Sequence, residues 1–163
     1  MEMNKNDYVS FGNAQWLAER GFRMGQTAFV KTKDVEVYVK SDHYGGEYGI
    51  GYRTMRPGMV IDVSWIQAQN DRNFLIPAPT VGEAAEFVSR TCGKFKVVRK
   101  LNPLLKQIHY DIIYMDCIVV METKPAETMK DAVDNLLSDD RFRRLYECDE
   151  RDGDETETIY EYL

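Results

Sequence analysis

The chain has 163 residues, 44% hydrophobic and 29% charged, with a formal net charge of −6. That length and composition argue against a disordered chain and predict one globular domain with an ordinary core. No run of about 18 apolar residues occurs, so no segment is expected to span a membrane.

Asn13 is placed to cap a first helix, Ala14 to Arg20, with Trp16 and Leu17 as buried anchors. Gly21 terminates it, and Phe22 falls where a Schellman end folds back on Leu17. Thr27 to Lys31 has a strand pattern, and Lys33-Asp34 a turn. Val35, Val37 and Val39 alternate with Glu36, Tyr38 and Lys40, a half-buried strand. After the Ser41 to Gly46 loop, Tyr48, Ile50 and Tyr52 alternate with Gly49 and Gly51. Arg56-Pro57-Gly58 marks a turn, and Met59, Ile61, Val63 and Trp65 form an inward row. Two successive hairpins are therefore expected, followed by a polar loop from Gln67 to Asn73.

The strongest structural signal is Leu75 to Val98. Pro77 and Pro79 should stop any strand entering from Leu75. Thr80 takes the N-cap position with Glu83 three residues on, a capping box. Val81, Ala84, Ala85 and Val88 form an apolar stripe, and Gly93 fits a helix end. A helix of about 11 residues should thus lie on an antiparallel sheet, followed by a strand from Lys94 to Leu101.

Asn102-Pro103 starts a turn. The stretch Gln107 to Met115 and Cys117 to Met121 fits one long bent strand or two short ones. Thr123 and Pro125 are expected to open a third helix, with Met129, Ala132, Val133, Leu136 and Leu137 as its stripe. Ser138-Asp139-Asp140 can cap a further helix carrying Phe142, Leu145 and Tyr146. The fold expected is α+β: an antiparallel sheet of about 6–7 strands with helices packed mainly on one face. It forms one domain over residues 1–146, and residues 147–163 are an acidic tail whose last residues, TIYEYL, could dock as an edge strand.

Charge is unevenly spread. Glu147 to Leu163 holds eight acids and one base, so the rest of the chain carries +1 against the total of −6. Phe87 to Tyr110 has six Lys and Arg residues and no acid. Cys92, Cys117 and Cys148 are widely spaced with no C-x-x-C, which argues against a disulfide framework or structural zinc and for a reducing, cytoplasmic setting. The N-terminal stretch MEMNKNDYVSFG lacks the apolar core of a signal peptide.

The segments Leu17-Ala18-Glu19-Arg20-Gly21-Phe22, Ala78-Pro79-Thr80 with the helix to Phe87, and the helix around Ala132 to Leu137 carry a resemblance. In this order they resemble small α+β proteins encoded by phages and integrative elements of gut bacteria, over residues 11–137. The chain departs from that pattern by an extra hairpin between residues 35 and 66 and a longer acidic tail. The resemblance implies a mobile-element setting. It assigns no activity and no site residue.

Candidate chemistry is sparse. His109-x-Asp111 puts both side chains on one face of a strand, and His43 is the other histidine; two histidines and a carboxylate can hold a non-haem metal. The simpler reading is a solvent-facing strand pair with His43 in an unrelated loop. Gly46-x-x-Gly49-x-Gly51 resembles a phosphate loop in spacing, but a strand pattern continues through it where a dinucleotide loop would open a helix. Cys117, beside Asp116, would be a nucleophile only with a base nearby; its apolar surroundings predict an inert buried thiol. Lys94, Lys96 and Lys100 line one side of a strand, with Arg99 opposite. They form a candidate polyanion-binding or tail-docking row, and Tyr110 and Tyr114 could stack on bases. Against this, lysines also protect a sheet edge, and the acidic chain as a whole repels nucleic acid.

No catalytic residue, cofactor or metal ligand is assigned. The leading reading is a non-catalytic accessory protein of a phage or mobile element that binds a protein partner. The alternatives are a nucleic-acid-binding module using strand 94–106, and a small metal-dependent enzyme using His43, His109 and Asp111.

Overall fold

The computed structural model describes residues 3–31, 35–40, 50–65 and 73–149. Within them the chain is α+β with antiparallel sheets. The backbone divides into two compact units, Met1–Thr80 and Val81–Leu163.

In the first unit, α1 spans Phe11–Glu19. Its cap is Ser10, whose Oγ accepts from the Asn13 amide at 3.4 Å. The expected cap at Asn13 is therefore corrected: Asn13 lies buried inside the helix. Phe11 and Gly12 form the first turn without extending the apolar stripe, which hides the true start. The far end is as expected. Gly21 has φ +97°, and the amides of Phe22 and Gly21 donate to the carbonyls of Leu17 and Ala18 at 3.0 and 3.1 Å, the two bonds of a Schellman end. Trp16 and Leu17 are buried, and the Arg20 guanidinium sits 4.6 Å from the Trp16 ring centre.

Five strands follow: β1 (Thr27–Val30), β2 (Val35–Lys40), β3 (Ile50–Met55), β4 (Val60–Asp62) and β5 (Leu75–Pro77). β1 is the middle strand of β4-β1-β5, with Phe29 opposite both Val60 and Ile76. β2 pairs with β3 as a separate two-stranded ladder. The two successive hairpins are thus corrected. Ala28, Phe29 and Val30 are all buried, the pattern of a strand covered on both faces. The β2–β3 hairpin stands in the connection between β1 and β4. The strand entering from Leu75 stops at Pro77 as expected, and β5 lies at the edge of its sheet, where a missing N–H is tolerated. Ala28, Val30, Ile61, Val63, Phe74 and Leu75 form a core cluster in this unit, with Met59 packed against it.

In the second unit, α2 spans Val81–Thr91, 11 residues, so Thr80 holds the position expected of its cap. It buries Ala84 and Val88, while Val81 and Ala85 are half-buried. β6 (Phe95–Asn102), β7 (Gln107–Tyr114) and β8 (Ile118–Glu122) form a meander. Residues 107–121 are thus two strands. They part at Met115 and Asp116, with φ of 54° and 61°, and the Cys117 amide donates to the Tyr114 carbonyl at 3.3 Å. Two left-handed central residues are the mark of a type I′ turn.

α3 spans Met129–Ser138 and is capped by Thr128, whose Oγ1 accepts from the Asp131 amide at 3.1 Å. The expected opening at Thr123 and Pro125 is corrected. Those residues continue alongside β7, where Ala126 and Ile108 exchange two backbone hydrogen bonds of 2.7 and 2.8 Å. α4 spans Asp140–Asp149, and Asp139 caps it as expected, accepting from the Arg141 amide at 2.9 Å. This helix runs to Asp149 and so takes in the first three residues of the expected tail; residues 150–163, including TIYEYL, lie outside the described residues. α3 packs on β7, α2 and α4. The buried Tyr146 of α4 has its hydroxyl 2.6 Å from that of Thr91 at the end of α2.

Among the described residues, the single sheet of about 6–7 strands is therefore corrected to two three-stranded sheets and the β2–β3 ladder. β4 and β5 take both edges of β1, and β6, β7 and β8 pair in chain order. No helix among the described residues is long and apolar enough to cross a membrane.

Candidate functional site

Strand alternation divides β7 into two faces. Tyr110 and Ile112 are buried on one. Arg99, opposite Tyr110 in the register, reaches within 3.8 Å of Met129 Sδ at the start of α3, which marks that face as the helix side. Burial pushes the Tyr110 phenol pKa up, and the nearby Arg99 charge offsets part of the rise.

His109 and Asp111 share the opposite face. His109 Nε2 lies 2.9 Å from Asp111 Oδ1, and Asp111 is only 7% exposed. The expectation of a solvent-facing pair is thus corrected for Asp111. Across from Asp111 in β8 stands Glu122. The ligand-capable atoms of His109, Asp111 and Glu122 all lie within 4.8 Å of one another.

Three features fix Glu122 there. The ladder between β7 and β8 shifts at Ile112/Ile113: Ile113 pairs with Val119 and Ile112 with Met121, so Val120 is the extra residue of a bulge. Without it, Met121 would face Asp111. Next, Thr123 clamps the strand end. Its amide donates to the Tyr110 carbonyl at 2.9 Å, and its Oγ1 accepts from the Tyr110 amide at 2.8 Å. The Arg141 guanidinium also donates to the Glu122 carbonyl, at 3.1 Å.

His43 lies outside the described residues, so of the three residues of the metal reading the structure unites two and adds Glu122. The Lys row is dispersed in role. Lys96 forms an ion pair with Asp116, Lys94 precedes β6, and Lys100 is exposed opposite His109. Tyr110 is buried and cannot stack on a base; Tyr114 packs its ring 5.4 Å from that of Phe95. Cys117 is exposed, a correction that follows from its place in the hairpin turn. At about 3.4 Å per residue, that turn is roughly 20 Å along the strand from His109, too far for a nucleophile–base pair. Gly46 and Gly49 lie outside the described residues, and Gly51 is within β3.

The β6–β7 connection shows a second feature. Asn102 Oδ1 accepts from the Leu104 and Leu105 amides at 3.1 and 3.2 Å, an Asx turn that orders the tip. Leu104 is 92% exposed, and Leu101 and Leu105 are each 65% exposed. The β7–β8 turn likewise exposes Met115, Ile118 and Val119.

No protein-family model, curated protein or solved structure matches this chain.

Proposed function

We propose that the protein is a non-catalytic binding protein that docks a protein partner through the tip of the β6–β7 hairpin. The resemblance to mobile-element proteins implies the setting for such a role and assigns no activity. The observation that carries the reading is the leucine tip itself. Singly exposed leucines are ordinary, but Leu104 and Leu105 on a turn held by an Asx motif, with Leu101 exposed at the adjoining end of β6, form a preorganised apolar contact. Ordering costs little on binding when the loop is already fixed.

Burying one such leucine contributes about 1.5–3 kcal/mol, roughly ten- to a hundredfold in Kd. The test is affinity capture by the full chain from a host lysate, with photo-crosslinking from position 104 to locate the contact. Leu104→Ser with Leu105→Ser should keep the circular dichroism spectrum and lose the captured protein. A partner retained equally by this variant, or crosslinked only elsewhere, overturns the reading.

A further inference from the structure

We propose that His109, Asp111 and Glu122 hold one divalent transition-metal ion, of the Zn2+ or Co2+ class. Three independent observations converge. The first is ligand type: one imidazole nitrogen and two carboxylates form a mixed nitrogen–oxygen set that favours borderline metals over Mg2+ or Ca2+. The second is spacing. Metal bonds of about 2.0–2.2 Å place tetrahedral donors roughly 3.4 Å apart. The donors here lie within 4.8 Å of one another, with His109 and Asp111 already at 2.9 Å.

The third is electrostatic. Asp111 and Glu122 are Cα partners on neighbouring strands, and like charges directly opposite destabilise a sheet. Asp111 is buried as well, with His109 Nε2 2.9 Å from its Oδ1. The bulge at Val120 creates this juxtaposition by replacing Met121 with Glu122, and the Thr123 clamp holds it. A dication between the carboxylates turns repulsion into attraction. Three protein ligands leave a coordination position for water on the exposed Glu122 side, the pattern of an open site.

The competing account is that the His109–Asp111 hydrogen bond of 2.9 Å already satisfies the buried carboxylate, with no ion. The full-length chain, stripped with chelator, is titrated with Co2+ and followed by visible d–d absorption, then with Zn2+ by calorimetry. One equivalent of each is expected. Because Glu122 is exposed, Glu122→Gln should leave the fold intact while weakening binding by more than the roughly 10–100-fold typical of outer-shell changes. His109→Ala should do the same. Absence of Co2+ absorption, an intense thiolate charge-transfer band assigning the ion to cysteine, or unchanged affinity in both variants overturns the proposal and leaves the His109–Asp111 hydrogen bond.

Discussion

Thr123→Val tests the clamp that positions the β8 end. The substitution keeps the β-branched shape and removes one atom with a defined job, the Oγ1 that accepts from the Tyr110 amide at 2.8 Å. Both residues are buried, each 4% exposed, so water cannot replace the lost acceptor. An orphaned buried donor costs about 1–3 kcal/mol. Thr123→Ser keeps the acceptor and loses one methyl, about 0.8 kcal/mol. Equilibrium urea denaturation should therefore order the proteins wild type, Ser, Val, from most to least stable. Amide exchange should show Tyr110 losing protection in the Val variant alone. If the Val variant matches wild type, or the Ser variant is the less stable of the two, the hydrogen bond is not what holds this corner.

Two further predictions concern helix ends. A Cβ added at Gly21 would meet nothing within 4 Å, but its φ is +97°, so Gly21→Ala should cost only the left-handed penalty, about 1–2 kcal/mol; a neutral result in urea denaturation removes the Schellman argument. At Asp139, partial burial pushes the carboxyl pKa up, but hydrogen bonds from the Arg141 side chain and amide, the guanidinium charge and the Phe142 amide outweigh it and leave the pKa below 3.8. A carboxylate with a lower pKa folded than unfolded stabilises fully above the unfolded value and loses that contribution as pH falls through the folded one. Asp139→Asn, which can still cap, should therefore show a shallower loss of stability in acid, and an identical slope refutes the assignment.

Where a signal was local, the sequence made it legible. Gly21 and Phe22 specify their helix end by conformation and contact within six residues, and Thr80 with the Val81 stripe places α2 to the residue. Caps with competitors misled: Asn13 and Thr123 are good cap residues, but Ser10 and Thr128 take those positions, and Thr123 serves the sheet. Pairing was not legible. Nothing near Thr27 states that β1 will join strands beginning at Val60 and Leu75. The candidate metal site failed for the same reason. His109 and Asp111 announce themselves two apart, whereas Glu122 joins them only through a bulge that shifts the register by one residue, and no composition or spacing rule marks Val120 as extra.

The placement of β1 at the centre of its sheet has a consequence during synthesis. Ala28 faces Pro77 in the finished register, so about 50 residues must be made before the strand gains its second partner. At roughly 5–20 residues per second on the ribosome, that is about 2.5–10 s. Throughout that interval the apolar run Ala28-Phe29-Val30 is a strand with an unsatisfied edge, open to chaperones or to neighbouring nascent chains. The 81–149 segment, built from adjacent hairpins and helices, meets no such delay. Expression yield should accordingly respond more to translation speed over codons 31–77 than over those that follow.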